Sequence, residues 1–94
     1  MRNYEVALIA HPDLNDEALA GLVDRIKGWI TAAGGTVGNV DLWGRRRLAY
    51  RIHKHHEGQY VFVPAQMPPL ATRELERNLR LTEPILRFLI TQAE

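Results

Sequence analysis

The sequence contains no cysteine and no serine. The first absence excludes disulfide bonds, thiolate zinc sites and cysteine nucleophiles, and the second excludes serine nucleophiles and their triads. Long apolar runs are missing as well, since each is far shorter than the roughly 20 residues of a membrane-spanning helix. The N-terminal residues also lack the apolar stretch of a signal peptide. We therefore expect a cytoplasmic protein that does no covalent nucleophilic chemistry.

The composition is that of an ordinary folded protein. Of the 94 residues, 46% are hydrophobic and 24% are charged, which excludes a disordered chain. A chain of this length supports one hydrophobic core and no more. The sequence predicts a single domain over residues 1–94.

Charge is distributed unevenly, although the formal net charge is only +1. Residues 1–41 carry a net charge of −3 and residues 57–94 carry −1, whereas residues 42–56 carry +5 without one acidic side chain. The cations of this middle segment, called here the basic strip, are Arg45, Arg46, Arg47, Arg51 and Lys54. Two interpretations stay open, namely contacts to nucleic-acid phosphates and charges that keep an edge strand from pairing with other sheets. Alternation along a strand places Arg45 and Arg47 on one face and Arg46 on the other.

Hydrophobic periodicity predicts elements in the order β-α-β-β-α-β. The predicted strands cover residues 4–10, 36–53, 59–67 and 85–91, one helix runs from Asn15 to Gly34-Gly35, and the other lies between Pro68-Pro69 and Pro84. This order is typical of the ferredoxin-like split βαβ sandwich, an α+β fold with a four-stranded antiparallel sheet and two helices on one face. In its usual strand order the second and fourth strands are edges, and the other sheet face is open.

Three local irregularities are expected in the strands. Gly44 interrupts an otherwise regular strand and predicts a β-bulge. Residues 54–58 are polar and predict a turn. Pro64 falls in a strand that should be central, where proline cannot donate to a ladder, so we expect a bulge or an early strand end there.

Aromatic residues on the sheet have two interpretations each. Tyr60 and Phe62 share one face of a predicted strand, where they could stack on RNA bases or pack on the core or a protein partner. Trp43 is either a strand residue before the bulge or the anchor of a partner contact at an edge.

The histidine-rich turn invites a metal interpretation, with His53, His55 and His56 as ligands and His11 as the fourth. A metal site needs oriented ligands and acceptors behind them, and this turn has only Glu57 beside it. We therefore favour a solvated turn and expect no metal and no cofactor.

Several motifs resemble the S6 protein family of the bacterial small ribosomal subunit, and the resemblance covers essentially the whole chain. They are Arg2, Tyr4 and Glu5 in the first strand, the run Gly44-Arg45-Arg46-Arg47-Leu48-Ala49-Tyr50-Arg51-Ile52-His53-Lys54, then Gly58 and Met67-Pro68. Two features depart from the family pattern. Arg51 stands where many members have proline, and the histidine-rich turn replaces one of Lys-Asp type.

The resemblance implies a ferredoxin-like fold, no enzymatic activity, no small-molecule substrate and a place in the small ribosomal subunit. It also implies binding to the central domain of small-subunit ribosomal RNA together with protein S18. The family's basic N-terminus and second strand carry over to Arg2, Arg45, Arg46, Arg47 and Lys54. Arg87 joins these RNA-binding candidates because the last strand turns it to the open face.

The edge strand supplies the candidate surface for the protein partner, formed by Asp41, Leu42, Trp43, Arg46 and Arg47. Two other kinds of function remain as alternatives. One is a small ferredoxin-like ligand-binding module that uses the histidines, although the first loop, His11-Pro12-Asp13-Leu14, is not a glycine-rich anion cradle. The other is a regulatory module that dimerises through its open sheet.

Overall fold

The computed structural model describes residues 1–52 and 54–93 and, within them, five strands and two helices. In chain order these are β1 Arg2–Ala10, α1 Asp16–Ala32, β2 Thr36–Val37, β3 Asp41–Ile52, β4 His55–Met67, α2 Ala71–Arg80 and β5 Ile85–Gln92. Neither helix in this part of the chain is long and apolar enough to cross a membrane.

The strands form one antiparallel sheet. Both β2 and β3 pair with β4, and the sheet continues through β1 to β5. This arrangement confirms the predicted ferredoxin-like fold, in which the second extended segment and the last strand are the edges. The predicted strand over residues 36–53 is split, however, because the chain leaves the sheet between Val37 and Asp41.

The core lies between the helices and one face of the sheet. Along β1 and β4 the pairing runs from Arg2 opposite Met67 to Ala10 opposite Gln59 without a register shift. Alternate side chains of both strands point to the helices, as a strand's two-residue period requires. The largest fully buried side chains are Leu8, Ile26, Ile30, Met67, Leu79, Val6, Val61 and Val63.

The opposite side of the sheet, called here the open face, carries the alternate residues of the same strands. Cross-strand pairing places Ala7 between Phe62 and Leu89, and Ile9 between Tyr60 and Arg87. Residues that pair across strands share a face, so all six side chains belong to the open face. The predicted orientation of Arg87 is therefore confirmed.

Helix α1 begins where the sequence indicates. Asn15 is its N-cap, and the Asn15 side chain accepts a hydrogen bond from the Ala18 backbone N–H at 2.7 Å. Asp16 and Glu17 occupy the first turn, where the helix dipole stabilises negative charge. The helix ends before Gly34, whose φ of +89° suits a residue without a side chain.

Pro64 is accommodated differently from the expectation. Strand β4 continues past it to Met67, and its pairing with β1 is unbroken, so a bulge or early end in β4 was the wrong prediction. Its carbonyl accepts a hydrogen bond from the Gly38 N–H at 2.8 Å. Because the nitrogen and carbonyl of a strand residue point the same way, the missing N–H also faces Gly38, where β2 has ended. The irregularity lies in the neighbouring strand.

The β3–β4 connection is tighter than predicted. Residues 55–58 belong to β4, with His55 opposite Ile52, so the turn predicted over residues 54–58 is wrong in extent. Lys54 has φ +71°, in the left-handed region. Gly44 has φ +78°, and the register shifts between Leu42 and Gly44, which confirms the predicted bulge with Trp43 as its extra residue.

Residues 45–52 and 54–58, called here the hairpin arm, fold onto one end of the open face. The side chain of Leu48 is buried there, and with Tyr50, Ile9 and Tyr60 it lines a small crevice under the arm. Gly58 makes this approach feasible, because a Cβ at that position would overlap Cγ2 of Ile9. The arm can therefore pack against Ile9 because Gly58 of β4 has no side chain.

We expect Gly58→Ala to lower the free energy of unfolding by about 1–3 kcal/mol, because the added methyl forces Ile9 and the arm apart. Urea denaturation followed by circular dichroism measures this. Gly28→Ala is the matched control, since nothing lies within 4 Å of its Cβ position in α1. That exchange should stabilise the protein by about 0.5–1 kcal/mol. Equal effects of the two substitutions would contradict the close approach at Gly58.

Candidate nucleic-acid and protein interface

The arginine triplet is divided between the two sides of β3. Arg45 pairs with Gln59 and Arg47 with Glu57, whereas Arg46 pairs with Gly58. Gly58 belongs to the same β4 alternation as Tyr60 and Phe62, so Arg46 lies on the open-face side. Arg45 and Arg47 lie on the side of the helices, as the alternation predicted. One flat ligand therefore cannot contact all three guanidinium groups.

Arg45 is engaged within the protein. Its Nη2 donates a hydrogen bond to the Pro12 carbonyl at 2.6 Å, in the loop that joins β1 to α1. The neighbouring Gln59, which is buried, donates from Nε2 to the carbonyls of His11 at 3.1 Å and Leu14 at 2.8 Å. These contacts attach the first loop to the base of the hairpin arm. Arg45 thus has a positioning role that its place in the basic strip does not reveal.

The other cations of the hairpin arm point to solvent. Arg47, Arg51 and Lys54 are exposed, and none has a side-chain hydrogen bond or ion pair to another residue in the described part of the chain. An anion can therefore accept hydrogen bonds from these three cations without displacing an existing partner. Guanidinium forks suit phosphate oxygens particularly well.

Two of the predicted RNA-binding residues, Arg2 and Arg87, belong to other strands than the arm, and only Arg2 lies far from it. Arg2 pairs with Met67, ten residues along β4 from the partner of Arg47, a separation of about 30 Å at the rise of a strand. Its guanidinium donates to Oε1 of Gln92 at 3.4 Å. Arg87 donates to the Tyr50 hydroxyl and lies 5.6 Å from the centre of its ring. The structure therefore groups Arg45, Arg46, Arg47 and Lys54 on the hairpin and brings Arg87 against it from β5, whereas Arg2 lies apart.

The predicted partner surface is organised around Trp43. Its Nε1 donates to Oδ2 of Asp41 at 2.9 Å, and the Arg46 guanidinium lies 5.4 Å from its ring. On the sheet, the Trp43 ring packs 4.7 Å from Phe62 and 6.5 Å from Tyr60, measured between ring centres. Trp43 remains 48% exposed. Asp41, Trp43 and Arg46 thus form one pre-ordered cluster on the open-face side of the edge.

The other two residues of the predicted partner surface face the opposite way. Leu42 pairs with Val61 and Arg47 with Glu57, which places both on the helix side of the edge strand. Leu42 is 56% exposed there. A partner that binds all five predicted residues must therefore contact both sides of β3.

Sequence reasoning did not single out Tyr50 or Leu89, which are exposed apolar residues of the same open-face region. A signal for Leu89 was present, because Phe88 and Ile90 point to the core and their neighbour must point away. The hydrogen bond between Arg87 and Tyr50 could not be predicted from local sequence, since the two residues are 37 positions apart.

His11 and His55 contact each other, and His11 also contacts the backbone of the first loop. His11 and His55 meet edge to face with ring centres 4.4 Å apart, and His11 Nδ1 accepts the Asp13 backbone N–H at 3.0 Å. Within residues 1–52 and 54–93, no three side chains of metal-binding type are grouped to hold an ion. His53, part of the metal interpretation, lies outside the described residues.

Comparison with known proteins gives a consistent result over nearly the whole chain. The family model described as Ribosomal protein S6 matches residues 3–92. Small ribosomal subunit protein bS6 of Moorella thermoacetica is 44% identical over all of this chain and 96% of its own length. The bS6 protein of Clostridium novyi is 45% identical over all of this chain and 99% of its own length.

A solved structure agrees with the fold. The crystal structure of 30S ribosomal protein S6 from Thermotoga maritima superposes with a TM-score of 0.92. The match covers 98% of this chain and 87% of that one, at 31% sequence identity. The antiparallel sheet and its two helices are thus an arrangement already seen in an experimental structure.

The cluster around Trp43 can be tested by fluorescence in a Trp29→Phe background, since the chain has two tryptophans. We expect Arg46→Ala to move Trp43 emission to longer wavelength, because the ring loses the guanidinium that covers it. The free energy of unfolding should fall by about 0.5–1 kcal/mol. Arg47→Ala is the control, because the adjacent side chain points to the other face. A shift of the same size in both variants would show that Arg46 does not cover the ring.

Proposed function

Because the chain belongs to the ribosomal protein S6 family of the small subunit, and so to the ribosome in the bacterial cytoplasm, we propose that it binds small-subunit ribosomal RNA as a heterodimer with protein S18. The RNA is the central domain, and the role is structural rather than enzymatic. Specificity for this site is shared between the two proteins of the pair.

The observation that carries the proposal is the solvent-facing charge of the hairpin arm. Arg47, Arg51 and Lys54 project from a segment that contains no carboxylate between residues 42 and 56. Phosphate neutralisation by such side chains releases condensed counterions, which is the main source of sequence-independent affinity for nucleic acids. The net charge of +1 makes this attraction local, which suits a protein that binds RNA as half of a pair.

The other predicted RNA-binding residues take different parts in this proposal. Arg45 holds the first loop against the arm and so positions its neighbours. Arg46 shapes the Trp43 cluster on the partner side. Arg2 supplies a second contact about 30 Å away, and Arg87 reaches RNA only by leaving the Tyr50 hydroxyl.

The test is the salt dependence of heterodimer binding to a central-domain RNA fragment. For the double variant Arg47→Ala with Arg51→Ala, the slope of log K against log salt should decrease in magnitude by about 1.5, because two phosphate contacts are lost. Filter binding between 50 and 300 mM salt resolves a change of this size, since the whole effect is electrostatic.

The control is Arg73→Ala with Arg77→Ala, which removes the same charge from the exposed surface of α2. The slope should stay unchanged there. An equal decrease in both double variants would mean that only total charge matters. An unchanged slope for the arm variant would contradict the proposed RNA surface.

A further inference from the structure

A small cavity of about 110 Å³ lies between the end of α1 and the beginning of α2, and no residue of the hairpin arm lines it. Its floor is apolar and buried, because Met67, Ile30 and Leu75 are at most 4% exposed. Three small residues of the two helix ends also line it, namely Ala32, Ala33 and Ala71. The cavity is thus the space that these alanines leave between the helices.

Two polar side chains of α2 line the same cavity. Glu74 and Asn78 lie on the side of the helix that carries Leu75, at the spacing of three and four residues. Glu74 is exposed and Asn78 is half-buried, so both lie where the cavity opens to solvent. Within residues 1–52 and 54–93, neither side chain has a hydrogen bond or an ion pair to another residue. A ligand can therefore bind both groups without displacing a protein partner.

The remaining wall of the cavity is the half-buried Trp29. The guanidinium of Arg25 lies 5.3 Å from the centre of the Trp29 ring, and this contact helps to hold the indole in place. Arg25 itself does not line the cavity, whereas Glu74 is the one charged residue among those that do. The opening is therefore negatively charged.

The size and the charge of the cavity define the class of ligand. An apolar cavity of about 150 Å³ holds benzene, so one of 110 Å³ admits an alkyl chain of about four carbons. An ammonium group only donates hydrogen bonds, which suits the carboxylate of Glu74 and the side-chain carbonyl of Asn78. Burying that charge beside Met67 would be costly, so the ammonium group stays at the opening. A chain with a charge at its inner end is thereby excluded.

We propose that this cavity is a binding site for a small primary monoamine, with the alkyl chain inside and the ammonium group between Glu74 and Asn78. The ligand is a free amine rather than a lysine side chain, because the charged end of a lysine would have to enter first. The site uses no histidine and so differs from the ligand-binding module that the sequence left open. It adds a small-molecule ligand to the proposed function and does not depend on that function.

The experiment titrates the full chain with n-butylammonium chloride at neutral pH and constant ionic strength, and follows the backbone amide resonances by heteronuclear NMR. The resonances of Ala33, Ala71 and Leu75 should shift and saturate with a dissociation constant in the millimolar range, as the small size of the ligand allows. Butanol lacks the charge, butyrate reverses it, and putrescine carries a charge at both ends. Each should bind at least about tenfold more weakly.

Two substitutions test the residues of the site. Glu74→Gln removes the charge at the opening and should weaken butylammonium binding at least about fivefold. Glu76→Gln is the matched control on the same helix, since Glu76 lies outside the cavity and pairs with Arg80 at 2.7 Å. It should leave the affinity unchanged. Ala71→Leu fills the cavity and should abolish saturable binding, and thermal denaturation verifies that each variant is folded.

Resonance shifts of the wild-type chain that do not saturate would overturn the inference. Butanol, butyrate or putrescine that binds as tightly as butylammonium would overturn it too, because charge and orientation would then play no part. Equal weakening by Glu74→Gln and Glu76→Gln would show a general attraction to charge on α2 instead of a site. A folded Ala71→Leu chain that still binds would place the amine elsewhere, and if that variant does not fold, Glu74→Gln decides. None of these measurements involves RNA or S18, so the proposed function stands or fails separately.

Discussion

The pairing of β1 with β4 is the constraint on which the other features depend. Nine consecutive residue pairs keep register from Arg2 to Ala10, so the alternation of both strands stays in phase. One set of side chains is buried under the helices, where Val6, Val61 and Val63 are fully enclosed. The alternate side chains of β1 and β4 therefore lie on the open face. A slip of one residue would exchange the two sets and expose the core.

The same alternation extends into the hairpin arm as far as Arg47 and decides which side of the sheet each arginine of the triplet faces. Arg45 and Arg47 fall on the helix side and Arg46 on the open-face side. Beyond Arg47 the register shifts, and there Leu48 and Tyr50 line the crevice with Ile9. Arg45 and Arg47 therefore lie on the opposite side of β3 from the aromatic cluster, whereas Arg46 of the basic strip belongs to that cluster. Physically, this is why a chain with a net charge near zero can present a strongly cationic side.

Much of this could be predicted from the sequence because the responsible signals are local. The Asn15 cap, the Gly44 bulge and the alternating strands follow from residue type and spacing alone. The break opposite Pro64 was assigned to the wrong strand, because one proline does not show which neighbour accommodates it. The seating of Ile9 against Gly58 and the contact of Arg87 with Tyr50 join distant parts of the chain. Such contacts depend on how the sheet is assembled, and no short segment encodes them.

The attachment of the hairpin arm has an energetic consequence. Arg45 ties the arm to the first loop, His55 meets His11, and Tyr50 meets Arg87 on the far edge strand. These three points hold both sides of the same short ribbon. Because these attachments restrict the ribbon before anything binds to it, a binding molecule has little further conformational entropy of the ribbon to remove.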